Sequence, residues 1–112
     1  MEQTAFLKIV GDTPMMRIWD FLLIERGLFD YSMTEIARNS HVSWTKFNKI
    51  FPELVKRGIV RQTRRIGRAR LYMLNEENPI TKAMIDLHKK TSLAVLESQT
   101  KEKKRLVAVQ TA

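Results

Sequence analysis

The sequence predicts a mainly α-helical domain with one small β-hairpin and a long final helix. Three observations carry that reading. Apolar residues recur at three- and four-residue spacing in four separate stretches. The stretch from Ile59 to Leu74 is instead rich in β-branched residues, alternates in part and breaks at Gly67. Between these stretches lie Ser, Thr, Asn, Gly and Pro, at places where they start and stop helices.

Residues 1–12 read as a lead-in in which Phe6, Leu7, Ile9 and Val10 give an apolar surface to pack. Gly11-Asp12-Thr13-Pro14 breaks the chain and opens the first long helix. Asp12 or Thr13 can cap it, and proline suits the first helical position because its missing N–H would be unpaired there anyway. Met15, Ile18, Trp19, Leu22 and Leu23 form one face of a helix from Met15 to about Arg26, which Gly27 stops.

Asp30-Tyr31-Ser32 opens a short helix ending near Asn39-Ser40. Ser32 and Glu35 fit a capping box, each side chain satisfying the other residue's free backbone N–H. Ile36 and Ala37 face inward, helped by Met33. His41-Val42-Ser43 is a tight polar turn around one buried valine. Ser43 caps a third helix, Trp44 to about Arg57, stopped by Gly58. Its inward residues are Phe47, Ile50, Phe51, Leu54 and Val55. Pro52 removes one backbone hydrogen bond inside this pattern, so two regular turns, a bend and a short second piece are expected.

Ile59 to Arg65 and Arg70 to Leu74 read as two strands around an Ile66–Ala69 turn. Asn78 and Pro79 start the last helix, from Ile80 to Lys101 or beyond. Ile80, Met84, Leu87, Thr91, Ala94 and Ser98 alternate by four and three, a heptad-like seam. The organisation is thus a lead-in at 1–12, a core unit at 13–78, a dimerisation helix at 79–105 and a tail at 106–112 that is expected to fray.

The chain of 112 residues is 44% hydrophobic, enough for one domain with a real core. It carries no cysteine, which excludes a disulfide scaffold, a zinc finger and a thiol nucleophile and fits a reducing cytosol. No apolar run approaches the ~20 residues of a spanning helix, and the start does not read as a signal peptide. A cytoplasmic protein with no membrane partner is expected.

The net charge is +8, and it is concentrated. From Arg38 to Arg70 there are ten basic residues against the single acid Glu53, a segment of +9, and the rest of the chain is −1. The block is interleaved with Val42, Phe47, Ile50, Phe51, Leu54, Val55, Ile59 and Val60, so it belongs to a folded region and not to a disordered arm. A one-sign block of this kind is the electrostatic footprint of a nucleic-acid binder.

Two helices across a short turn, followed at once by a hairpin, make the winged helix-turn-helix arrangement. Small Ala37 lets the two helices approach. The exposed residues near the start of the third helix are Ser43, Trp44, Thr45, Lys46, Asn48 and Lys49. A helix so placed presents its N-terminal residues to base edges in the major groove. Asn48 can pair with adenine, a lysine can donate to guanine, and Thr45 can touch a thymine methyl or a phosphate.

Tyr31-Ser32 to Ala37, Val42-Ser43-Trp44-Thr45, Leu54 to Val60 and Arg64 to Asn75 are the pieces through which the chain resembles the winged-helix transcriptional regulators common in archaea, related to the MarR and ArsR superfamily. The resemblance spans roughly Thr13 to Leu87. It implies a dimer on palindromic double-stranded DNA, a recognition helix at Ser43 to Phe51 and a wing at Arg61 to Leu74. Larger members of that family carry additional dimerising helices and a ligand pocket between domains, whereas this chain has a short lead-in and one long final helix, which leaves a small-molecule effector open. His41 and His88 alone offer no ligand set for metal sensing, and neither a metal nor another cofactor is expected.

The wing places Arg64, Arg65, Arg68 and Arg70 around Gly67 and small Ala69. A slim arginine tip can enter a narrow A·T-rich minor groove, where negative potential is concentrated. Arg61, Arg64, Arg65 and Lys49 suit phosphates, which set affinity and register, and Thr34 joins this contact set. Ile80, Met84 and Leu87 are the expected dimer contacts.

Plainer readings stand beside these. Trp44 can touch a base, but packing against the motif or stacking on a deoxyribose explains it as well. Trp19, Phe21, Phe47 and Phe51 are core by their spacing. His41 can contact a phosphate but reads more simply as an exposed turn residue, and His88 as a surface or dimer-edge one. Met15, Met16 and Met84 can line a small pocket, but methionine more often fills irregular gaps. Lys101 to Arg105 reads as a solvated helix end, with a nonspecific DNA contact as the lesser option. The arginine wing is the feature least easily explained without an anionic partner.

Three functions remain on sequence grounds. The first is a sequence-specific DNA-binding regulator, acting as a homodimer on the nucleoid. The second is a winged-helix module of plasmid partition, replication or chromatin architecture. The third is a protein-interaction module, which does not need the +9 block. No phosphate-binding glycine loop, thiol, metal-ligand cluster or carboxylate pair points to an enzyme or to a catalytic residue.

Overall fold

The structure is a computed structural model that describes residues 3–111, with side chains described for residues 3–98. Its elements are α1 (Ala5–Val10), α2 (Pro14–Ile24), β1 (Tyr31–Ser32), α3 (Met33–Asn39), α4 (Trp44–Lys56), β2 (Val60–Ile66), β3 (Ala69–Leu74) and α5 (Pro79–Thr111).

Local side-chain chemistry starts the helices. Thr4, Thr13, Ser32 and Ser43 each accept a hydrogen bond from a backbone N–H in the first turn of the helix that follows. At Ser32 the reciprocal bond from Glu35 completes the capping box. At α5 the Asn78 side-chain oxygen accepts from the Ile80 N–H at 2.8 Å.

The lead-in is more structured than a bare approach to the domain. It forms α1, and Phe6 and Leu7 are buried in the common core. That core joins Ile18, Trp19, Leu22 and Leu23 of α2, Ile36 and Ala37 of α3, and Phe47, Phe51 and Leu54 of α4. Val42, Ile59, Val60, Tyr72 and Leu74 close it from the turn and the sheet.

Several expectations need correction. The sheet has three strands, in the order β1-β3-β2, and not the two of a simple hairpin. Tyr31 and Ser32 pair with Tyr72 and Leu71, but two residues are too few to produce an alternation pattern. The hairpin is also longer than its sequence suggested. Ile66 pairs with Ala69, leaving only Gly67-Arg68 at the tip. Gly67 has φ 60 and Arg68 does not share a positive φ, the pattern of a II′ turn with glycine first.

Pro52 does not split α4, which runs unbroken from Trp44 to Lys56. Phe47 and Phe51 before the proline and Leu54 after it are buried on one face, and this packing holds the helix together. Pro52 and Asn48 both lie on the exposed side, where water can reach the carbonyl that loses its partner. Val55 borders the buried stripe and is exposed, contrary to its expected inward place.

Helix α5 runs through Thr111 and so takes in residues 106–111 of the expected tail. The side chains of Lys101 to Arg105 lie outside the described residues, as does Ala112 altogether. His88 is not a surface residue. Its Nε2 lies 3.2 Å from Asp20 Oδ1, its ring packs 5.3 Å from that of Phe6, and Thr4 donates to the other Asp20 oxygen at 2.9 Å. This polar knot ties α1, α2 and α5 together. Among the described residues, no helix is long and apolar enough to cross a membrane.

Candidate nucleic-acid interface

Two elements meet solvent with a cationic face, α4 and the wing. The first turns of α4 expose Trp44, Thr45, Lys46, Asn48 and Lys49, while Phe47 between them is fully buried. The helical period alone produces this division. Ser43 is spent partly on capping, its hydroxyl accepting from the Lys46 N–H. Asn48 Nδ2 donates to the Trp44 carbonyl at 3.1 Å, so its amide lies along its own helix. Trp44 stacks on Phe47, with ring centroids 5.8 Å apart and planes 14° apart, yet about half of its surface is exposed. The packing reading and an outward-facing reading of Trp44 therefore hold for different parts of one ring.

In the wing Arg61, Arg64, Arg65, Arg68 and Arg70 are all exposed. They are not equivalent. Arg64 forms a two-pronged ion pair with Asp30, Nε–Oδ2 3.0 Å and Nη2–Oδ1 3.2 Å. Thr63, at the register shift in β2, donates its hydroxyl to the same carboxylate. The Arg64 guanidinium, then the Thr63 hydroxyl, hold the Asp30 carboxyl down at about 2, from an ordinary 3.8. Arg61 instead lies against the Met73 sulfur at 3.4 Å. Among the described residues, the side chains of Arg65, Arg68 and Arg70 have no hydrogen-bond or ion-pair partner.

Thr34, in the first turn of α3, is exposed and shares a cleft of about 410 Å³ with Arg68 and Arg70. Ser32, Met33, Ala69 and Tyr72 line the rest. The folded chain thus brings Thr34 to the wing, although more than thirty residues separate them.

The expected dimer residues divide. Ile80 is half exposed, whereas Met84 and Leu87 are partly buried against the domain's own core. Thr91 of the same seam is buried. Among the described residues, the other exposed large apolar side chains of α5 are Leu93 and Leu96, with Ile9 and Ile24 on the first two helices.

Sequence reasoning missed Asp30, Asp20 and Arg17. Arg17 pairs with Asp12 and donates through Nη1 to the His41 carbonyl at 3.0 Å. Each of the three acts on residues distant in the chain, and no local pattern marks them.

No family model matches the chain, and no curated protein matches it. Solved structures do. A Cys-to-Ser variant of Lactococcus lactis ZitR matches with a TM-score of 0.59 at 19% identity, over 99% of this chain and 75% of its own. ZitR in complex with DNA matches with a TM-score of 0.51 at 17% identity, over 91% and 75%. NadR in complex with 4-hydroxyphenylacetate matches with a TM-score of 0.60 at 17% identity, over 95% and 76%. A transcription regulator described as of the MarR family matches with a TM-score of 0.58 at 16% identity, over 96% and 70%. The fold of this chain is the winged helix of the MarR-type regulators.

Proposed function

We propose that this chain is a sequence-specific double-stranded-DNA-binding transcriptional regulator. The observation that carries the proposal is the exposed cationic face formed by α4 and the wing on a winged-helix fold. Lys46, Asn48 and Lys49 point outward on the helix that such folds lay in the major groove. Arg65, Arg68 and Arg70 are left uncommitted at the wing, fitted to phosphates and to the minor groove. Thr34 adds a hydroxyl beside Arg68 and Arg70.

A two-fold partner completes the reading. Burial of Ile80 with the outer parts of Met84 and Leu87, extended by Leu93 and Leu96, joins two copies through α5. Two recognition helices then stand about 34 Å apart, one turn of DNA. That ZitR has been solved on DNA agrees with this use of the fold. Such a protein works in the cytoplasm, on the nucleoid.

Repeated selection from a random duplex library at physiological salt tests the proposal. Enrichment of a two-fold symmetric motif is the expected result and gives the half-site spacing. Tight binding without an enriched motif replaces the regulator by an architectural protein. Absence of binding removes the DNA reading and leaves a protein-interaction module.

A further inference from the structure

We infer that Arg17 is a positioning residue that sets the pose of the recognition helix by stapling the turn before it. The inference rests on the DNA-binding reading above for its consequence, though not for its geometry.

The turn between α3 and α4 carries an uncommon residue at its left-handed position. The Val42 N–H donates to the Ala37 carbonyl at 3.1 Å and the His41 N–H to the Arg38 carbonyl at 3.2 Å. These two bonds form a Schellman motif, in which the residue after the helix cap adopts the left-handed conformation and is usually glycine. Here it is His41, with φ 57. It is the one non-glycine residue with positive φ among the described residues. A side chain at this conformation is disfavoured, because its Cβ crowds the following carbonyl. The turn therefore needs support from outside its own segment.

Arg17 supplies that support. It projects from the first turn of α2, and its Nη1 donates to the carbonyl of His41 at 3.0 Å. The rest of the fork is fixed by Asp12, with Nε on Oδ1 and Nη2 on Oδ2 at 3.1 Å. Asp12 also accepts from Gln3 Nε2 at 3.3 Å. A planar guanidinium can hold a carboxylate with one edge and a carbonyl with the remaining N–H, whereas a lysine ammonium has no such fork. Two residues beyond His41, Ser43 caps α4, so the angle at which Trp44, Thr45 and Lys46 leave the domain depends on this turn. The same side chain is a cation on a basic protein and is partly exposed. A direct phosphate contact is thus the rival role, and the test separates the two.

The experiment compares the wild type with Arg17→Gln, Arg17→Lys, His41→Gly and the Arg17→Gln/His41→Gly pair. Two quantities are read: affinity for the selected duplex and for a random duplex over a salt series, and amide hydrogen exchange of the free protein. The expected result for Arg17→Gln is about tenfold weaker binding to the selected duplex, the size of one lost charge-assisted hydrogen bond. Binding to the random duplex and the salt slope stay as in the wild type. Exchange at the Val42 amide accelerates, while amides in the middle of α2 keep their protection. Arg17→Lys does not restore the loss, and the loss shrinks in the His41→Gly background, where the left-handed turn no longer needs its staple.

Equal weakening on both duplexes with a shallower salt slope, or restoration by Arg17→Lys, makes Arg17 a phosphate contact and overturns the inference. Unchanged exchange at Val42 overturns it as well. If Arg17→Gln does not fold, Asp12→Asn releases the fork and is read in the same way. A wild type that binds no duplex removes the DNA reading, while the exchange result still decides the role of Arg17.

Discussion

Arg64 on β2 and Asp30 just before β1 hold each other through two parallel contacts of 3.0 and 3.2 Å, across 34 residues of chain. The pair sits where the β2 register shifts, with the Thr63 hydroxyl on the same carboxylate. It lowers the mutual repulsion of the wing arginines and fixes the base of the wing on the domain. Surface pairs are usually weak. This one is two-pronged, its carboxylate is largely covered, and it carries a third hydrogen bond.

The first prediction concerns acid. The folded Asp30 titrates near 2, and an unfolded aspartate near 3.9. A depressed folded value means stabilisation that is complete above the unfolded pKa and is lost as pH falls through the folded one. Asp30→Asn is therefore expected to lower stability at pH 7, and the gap to wild type to narrow between about pH 4 and pH 2. Urea unfolding at several pH values checks this. A gap independent of pH removes the ion pair as the source.

The second prediction separates base readers from phosphate contacts. Asn48→Ala is expected to cost about 1–3 kcal/mol on the selected duplex and nothing on a random one. In the free protein the Asn48 amide donates to the Trp44 carbonyl, so it must rotate away to reach a base. Arg65→Ala is expected to weaken all duplexes alike and to reduce the salt slope by about 1. Arg68→Ala is expected to lose affinity mainly where A·T tracts flank the site. Binding titrations over a salt series distinguish these, and equal losses on both duplexes for Asn48→Ala remove its base-reading role.

The third prediction follows from the intact α4. An interior proline costs a helix about 3 kcal/mol, offset by up to about 1 kcal/mol because it also stiffens the unfolded chain. Pro52 is exposed, so its replacement removes no core contact. Pro52→Ala is expected to raise stability by roughly 1–2 kcal/mol, read as a higher urea midpoint at an unchanged slope. A lower midpoint means that Pro52 itself helps Phe51 and Leu54 to pack.

These residues also show what could be read before the fold was known. The caps at Thr13, Ser32, Ser43 and Asn78 were legible because donor and acceptor lie within three residues of each other. The buried faces of α2 and α4 were legible because burial follows the helical period, with Val55 failing only at the edge of its stripe. The cationic face was legible because its charges are contiguous in the chain. Strand β1 was not, since two residues make no pattern. Nor were Asp30 with Arg64, Arg17 with His41 or Asp20 with His88, whose partners are brought together only by the tertiary fold. In α5 the heptad spacing pointed to Ile80, Met84 and Leu87 alike, but the domain's own core takes part of Met84 and Leu87.

The last prediction concerns Asp20 and His88, which join α2 to α5 inside the domain. Both side chains are nearly covered, at 7% and 13% exposure, and Thr4 of the α1 cap donates to the same carboxylate. Removing one partner leaves the other covered without this contact, which costs about 1–3 kcal/mol. Replacing both by apolar residues removes the desolvation burden together with the contact and can be nearly neutral. His88→Leu is therefore expected to destabilise by about 3 kcal/mol, a fall in the thermal midpoint of at least ~10 °C for a domain of this size. The Asp20→Leu/His88→Leu pair is expected to recover more than half of that loss. Chain concentration must be held constant, because association through α5 would add to the apparent stability. If the double variant is as unstable as the sum of its single variants, the two residues act independently, and the junction of α1, α2 and α5 is held by Phe6 and its apolar neighbours instead.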